Sequence, residues 1–402
     1  MVAWLAAFAG AWLTLRHGLE FSPDAWQYWS GSISILHGNG YVDGHGLLIL
    51  GWPPGYSIYL AAWQASFGEG VATVRLAECF ALASSAALIT VWASMRMRHT
   101  GPRWPLVVAA VAATLAAARG AGSERLMLML LFAALVCIEL LRDRRGMAYV
   151  TTVAAIALCC AGMGLVRHAA LAFLPGLWFL LREAHGGTWR RPLLAHGAII
   201  AFTSVLWLGC RKYLGQASEG WFESVHSVAS VVAAMAKGLN RGIAPWPIGL
   251  MLFVGAVIGV APLRSRLTNM RPVAAFLLTS ILGLFTMYLI VYIADLPSAR
   301  FMRFASITMA VLLAGIFAQC EKPKLRWLLL ALILLPNTIY ATKHTILGRR
   351  VPATLDENGG ASFLTPDSVL GPPGSQETRL PSGQLRVPEP LFRWQRDRLR
   401  RR

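Results

Sequence analysis

Asp24 stands in the run Ser22-Pro23-Asp24-Ala25-Trp26-Gln27-Tyr28, and Trp52-Pro53-Pro54-Gly55 follows after a Gly-rich turn. Ser22 suits an N-cap and Pro23 the first helical position, so Asp24 falls in the first turn of a helix. The partial positive charge at that helix end favours the ionised carboxylate. In a dry cleft such a carboxylate can take a proton from a hydroxyl, which is general-base chemistry. Asp is equally at home in a first turn for the dipole alone, so both readings stay open. Tyr28 follows one turn later, and Asp43 lies in the same loop, able to serve with Asp24 or in its place.

Four further groups carry charge at the edges of apolar runs. They are Ser123-Glu124, Arg167-His168, and Arg300 and Arg303 on either side of Phe301-Met302. Taken singly, Glu124 can be a helix cap and each Arg an interfacial cation that reaches back to water. Taken together they describe a cleft with one or two carboxylates and several guanidiniums. Guanidiniums hold phosphate by paired, charge-assisted hydrogen bonds. The phosphate of a lipid headgroup is the natural ligand for such a cleft.

The elements that must position these residues are membrane helices. Of the 402 residues, 56% are hydrophobic and 14% charged, against about 25% charged in a soluble domain. Apolar runs fall at 2–19, 72–95, 104–120, 125–141, 147–166, 169–182, 193–210, 246–262, 272–293, 303–319 and 325–341. The expected fold class is an all-α polytopic membrane protein with about 11 transmembrane helices. Five short loops carry three cations each, centred on Arg96, Arg142, Arg190, Arg264 and Lys324. The positive-inside rule makes those loops cytoplasmic. Every candidate site residue then lands on the opposite, external face.

Within the first external loop, 20–71, two amphipathic helices are expected on the outer leaflet. Trp26, Trp29, Ile33 and Leu36 share one stripe of the first, and Tyr56, Tyr59, Leu60, Trp63 and Phe67 mark the second. Residues 1–342 form the membrane domain. Residues 343–402 hold seven Pro and six Gly and end in an Arg-rich run, which reads as a disordered tail. The N-terminal run lacks a basic leading region and reads as the first span rather than a signal peptide.

The net charge of +18 sits in membrane loops and does not point to nucleic acid. The six cysteines include no CxxC pair, so they give no metal or disulfide framework. Nucleotide-binding glycine motifs, HExxH, GxSxG and Asp-x-Asp are all missing from the sequence, which leaves no signature of a nucleotide site, a zinc peptidase or a serine esterase.

The first-loop run, with Leu36-His37-Gly38-Asn39-Gly40-Tyr41 and Trp52-Pro53-Pro54-Gly55-Tyr56, resembles the C-type integral-membrane glycosyltransferases. These include protein O-mannosyltransferases and lipid A aminoarabinose transferases. Ser123-Glu124-Arg125-Leu126 is similar to the Ser/Thr-Glu that opens their fourth span. Gly164-Leu165-Val166-Arg167-His168 is similar to their small-x-x-Arg-Tyr turn, with His168 in the Tyr position. Pro297 to Phe304, with Arg300 and Arg303, resembles a late Arg-containing segment.

The resemblance spans roughly residues 1–340. It implies a polyprenyl-phosphate-linked sugar donor, an envelope acceptor hydroxyl (on protein, polysaccharide or lipid) and Asp24 as catalytic base. Tyr28, Asp43, Glu124, Arg167, His168, Arg300 and Arg303 would line the substrate site. Some members bind a divalent cation; no acidic cluster in this sequence argues for one. The implied setting is the inner membrane, with the site on the periplasmic face. The rival expectation is a transporter or flippase of lipid-linked glycans, which would place ionisable groups near the bilayer midplane and show repeats.

Overall fold

The computed structural model describes residues 1–15, 19–20, 23–43, 46, 48–49, 52–97, 103–115, 122–213, 229, 231–233, 270–290, 299–319 and 323–345, with short strand segments beyond. For Asp24, Arg300 and Arg303 this covers the backbone, and their side chains lie outside the described set.

The chain is mostly helical. The helices are α1 Val2–Leu15, α2 Pro23–Leu36, α3 Gly55–Phe67, α4 Val71–Arg96, α5 Trp104–Leu115 and α6 Ser123–Leu140. They continue with α7 Gly146–Val166, α8 Leu174–Ala184, α9 Arg190–Tyr213, α10 Arg271–Ile290, α11 Ala299–Ala318 and α12 Pro323–Thr345. Each described span expected from sequence finds a helix at its place; the expected span 246–262 lies outside the described residues. Among the described residues strands are two- or three-residue pieces. Leu19–Glu20 pairs antiparallel with Ala353–Leu355, that segment pairs with Ala361–Phe363, and Glu377–Arg379 pairs with Arg386–Pro388.

Among the described residues three helices are long and apolar enough to cross a membrane by length and composition: α4, α7 and α9. They present large apolar side chains outward, among them Val150 and Leu158 on α7 and Leu194, Val205 and Leu208 on α9. Such exposure over whole spans marks lipid-facing surface. The expected span 169–182 takes a different form. A 3₁₀ segment, His168–Phe173, precedes an α8 of only 11 residues. Pro175 sits in the first turn of α8, where its missing N–H and fixed φ start a helix rather than continue one.

The core is built by α4, which packs on α1, α5 and α6, while α6 packs on α7 and α7 on α9. Trp92 of α4 meets Phe132 of α6 with ring centroids 5.8 Å apart, and Phe173 meets Phe304 of α11 at 4.5 Å.

The first-loop helices correct one expectation. On α2, Ala25, Trp26, Gln27, Tyr28, Trp29, Ser32 and Ser34 are all buried. This helix is enclosed by protein over most of its circumference instead of floating on the leaflet by one stripe. Two bonds tie it to α3: Gln64 donates to Ser32 Oγ at 2.7 Å, and Ser57 Oγ donates to the Tyr28 carbonyl at 2.7 Å. An apolar stripe signals burial without saying whether lipid or protein supplies it. Helix α3 keeps the two-faced form, with Tyr56 and Leu60 inside and Ile58 and Phe67 exposed.

Candidate functional site

The start of α6 is the anchor. Arg167 follows the last residue of α7, and its Nη1 donates to Ser123 Oγ and to Glu124 Oε1, both at 2.9 Å. Glu124 therefore acts across to α7, and Gly122, the N-cap of α6, has no side-chain cap. The alternative reading of Ser123-Glu124 as a plain helix cap gives way to an ion-pair partner.

Behind this pair lies a second that sequence reasoning passes over. Glu78 of α4 accepts from Arg125 through one carboxylate oxygen and from the Gly122 backbone N–H at 3.1 Å through the other. Both side chains are almost fully enclosed, Glu78 at 1% and Arg125 at 3% exposure. A buried Glu on an apolar helix signals in sequence that a cation must be near. What sequence withholds is which one. Through Gly122 and Arg125, Glu78 fixes the residues on either side of Ser123-Glu124, and they in turn hold Arg167.

The first loop closes over the same place. A Cβ at Gly55, the first residue of α3, would lie 2.7 Å from the carbonyl carbon and oxygen of Leu165. Only Gly lets α3 touch the α7 backbone two residues before Arg167. Tyr28 of α2 stands edge-on to Tyr56 of α3, with centroids 5.1 Å apart. Its ring is 2% exposed, so it holds α2 against α3. Tyr41 donates to the Pro53 carbonyl at 3.3 Å. Burial pushes its phenol above the usual range; Tyr28 and Cys210 of α9 add to this, and Ser57 opposes it.

His168 turns the other way, toward α9. Trp207 Nε1 donates to His168 Nδ1 at 2.9 Å, and the two rings are nearly perpendicular. Arg211 lies over the Trp207 ring at 5.0 Å. Gly164 lies against this corner: an added Cβ would be tight on Leu171 Cδ2 at 3.1 Å and in ordinary contact with Trp207 Cδ1 at 3.8 Å. The His168 pKa is pushed down to about 3, chiefly by burial and then by Arg211 and Arg167. The ring is neutral at physiological pH.

Glu124, Arg167 and His168 are thus brought together, with Tyr28 in the loop that covers them. Asp24 is the second residue of α2, at its expected first-turn place. Asp43 sits in the loop after α2, half-buried, with its carbonyl accepting from Gly46 N–H at 3.0 Å. Arg300 and Arg303 occupy the first turns of α11; the placement of their side chains lies outside the described residues. Trp207 and Arg211 join the site unannounced by any motif. Among the described residues no three of His, Cys, Asp and Glu gather as metal ligands.

No family model matches the chain, and no curated protein sequence matches it. Its fold is that of a solved structure, ArnT from Cupriavidus metallidurans bound to undecaprenyl phosphate. The TM-score is 0.52 at 15% identity, over 80% of this chain and 59% of that one. The chain therefore shares the fold of that structure and spans about three fifths of its length.

Proposed function

We propose that this protein is a membrane glycosyltransferase that moves a sugar from a polyprenyl-phosphate donor to a hydroxyl of an envelope acceptor at the external membrane face. The observation that carries the reading is the Ser123-Glu124-Arg167 cluster lying under the first loop that bears Asp24. The fold it shares with a protein bound to undecaprenyl phosphate supports it.

In the proposed step Asp24 takes the proton of the acceptor hydroxyl. The oxygen forms a bond to the anomeric carbon while the bond from that carbon to the phosphate oxygen breaks. Its electron pair leaves on polyprenyl phosphate. Guanidiniums, with Arg167 and Arg300 as candidates, stabilise the charge that develops there. Asp43 is the reserve candidate for the base.

The test compares cell-envelope glycans by mass spectrometry in a deletion strain complemented with wild type or with Asp24→Asn. The expected outcome is that one fixed sugar mass vanishes from one acceptor in the Asn strain, a loss of at least ~100-fold for a missing general base. Full restoration by Asp24→Asn would move the base to Asp43 and raise the transporter reading.

A further inference from the structure

Every side of Gly122, the residue just before α6, is in use. Its N–H donates to Glu78 Oε1 at 3.1 Å, and its carbonyl accepts from Arg125 N–H at 3.4 Å. Its α-carbon lies under the Glu124 carboxylate: an added Cβ would come 2.5 Å from Glu124 Oε2. Through its other oxygen, Oε1, that carboxylate accepts from Arg167 Nη1 at 2.9 Å. The pair is largely enclosed, Glu124 at 7% side-chain exposure and Arg167 at 14%.

The backbone at Gly122 does not itself ask for glycine. With φ −171° and ψ 140° it is extended, a conformation open to any residue. Gly55 is the contrast: there a Cβ would strike main-chain atoms of Leu165 and Val166, which cannot yield without moving the packed helix. At Gly122 a Cβ would strike the end of one side chain. The missing Cβ is therefore room for a carboxylate, and filling it moves Glu124 rather than the fold.

We propose that Gly122 is a positioning residue for the transfer: the room above its α-carbon lets Glu124 fold back over the start of α6, which fixes where Glu124 holds Arg167. This rests on the polyprenyl-phosphate reading above, in which Arg167 is a candidate for the leaving phosphate. A guanidinium binds phosphate through a rigid fork, and a misplacement of about 1 Å is enough to cost a large factor in rate. Gly122 has no side chain to offer and acts through Glu124. Glu78, by holding the Gly122 N–H, keeps that room in register with Arg167.

The experiment uses the full chain in nanodiscs, titrated with undecaprenyl phosphate, with thermal unfolding midpoints measured alongside. Gly122→Ala, Glu124→Ala and the two together are compared with wild type. Gly122→Ala is expected to weaken binding by about tenfold, the size of one charge-assisted bond, while its midpoint falls by a few degrees at most. On the Glu124→Ala background the same change should cost less than twofold, because the carboxylate that it displaces is gone. Glu124→Asp, one methylene shorter, should also blunt the effect of Gly122→Ala, and it serves if Glu124→Ala does not fold.

Binding by Gly122→Ala within twofold of wild type overturns the inference and leaves the glycosyltransferase reading standing. An equal loss with and without the Glu124 side chain overturns it too, because Gly122 then acts by another route. So does a fall in midpoint as large as that of Glu78→Ala, which makes Gly122 part of the scaffold alone. Wild-type protein that does not bind undecaprenyl phosphate removes the polyprenyl-phosphate reading by itself. The hold of Gly122 on the Glu124–Arg167 contact is then decided by the coupling of Glu124→Ala with Arg167→Gln in the midpoints. Gly122→Ala should reduce that coupling by half or more, and undiminished coupling overturns the inference.

Discussion

Two charged layers cap the helix bundle, and they are wired differently. At the end beneath the first loop, the described ion pairs are separate: Glu78 with Arg125, and Glu124 with Arg167. At the far end four groups form a closed ring. Arg96 bridges Glu139 at 3.3 Å and Glu183 at 2.5 Å, while Arg142 bridges the same two at 2.9 and 3.1 Å. From Glu78 to Arg96, α4 rises about 27 Å at ~1.5 Å per residue, close to the ~30 Å of a hydrocarbon core. Each layer thus sits where a charged group can be near water.

The ring satisfies itself: every member has two partners of opposite sign, drawn from α4, α6, the turn after α6, and α8. Such closure suits a clasp and leaves little field for a ligand. The loop end adds Arg211 and a neutral imidazole to its pairs. It is also where Gly55 admits a close backbone approach and Gly164 lies tight against Leu171. A closed ring at one end and separate pairs with a further cation at the other is the division that the proposed function expects.

Cutting the loop end at its deepest point tests this most severely. Glu78→Ala leaves Arg125 buried without its counter-ion and Gly122 N–H without its acceptor. The expected cost is about 3–5 kcal/mol of stability, read as a fall in unfolding midpoint. Transfer activity should fall with it, because Ser123 and Glu124 lose their support. Replacing both partners, Glu78→Gln with Arg125→Met, removes the uncompensated charge and should restore most of the stability. If the double variant stays as unstable as Glu78→Ala, the pair is not what organises this end.

The far-end ring should respond more mildly and without loss of activity. Glu183 is 29% exposed on its side chain and Arg142 28%, and Arg96 keeps Glu139 when Glu183 is neutralised. Glu183→Gln is expected to cost roughly 1 kcal/mol. The deficit relative to wild type should shrink as salt rises, since screened pairs contribute less. Unfolding midpoints at low and high salt, with transfer measured in parallel, check both points. A large loss of transfer at unchanged stability would mean that the two ends are coupled and that the contrast between them is wrong.

Much of the scaffold was legible in the sequence, and the reasons are particular. Apolar runs delimited by cations place α4 and α7 within a residue of their bounds, because a long apolar helix between charged loops has few alternative readings. Pro23 starts α2 where a first-turn proline should. Pairings across some 45 residues were not legible. Glu78 announces a need for a cation, yet nothing local distinguishes Arg125 from Arg75 or Arg96. The stripe of Trp26 and Trp29 encodes burial, while the choice between lipid and protein is made by α3 and the bundle beneath. Arg211 reads as an ordinary helix-end cation until Trp207 is seen to orient it.

The smallest effect separates the layers by pH. The unfolded chain protonates the His168 ring from about pH 6.5 downward, whereas the folded protein resists until about pH 3. Between those values the unfolded state holds more protons, so stability falls as pH drops through the window and is regained as pH rises. The cause is burial first and then the combined field of Arg211 and Arg167, so the effect belongs to the loop end alone. His168→Gln keeps a polar group in place and cannot titrate. Its unfolding midpoint should fall less than that of wild type between pH 7.5 and pH 5, by a few degrees at most. Equal slopes would show that the imidazole protonates freely in the folded state. The two proteins differ only at this ring, so the difference in slope reports on it.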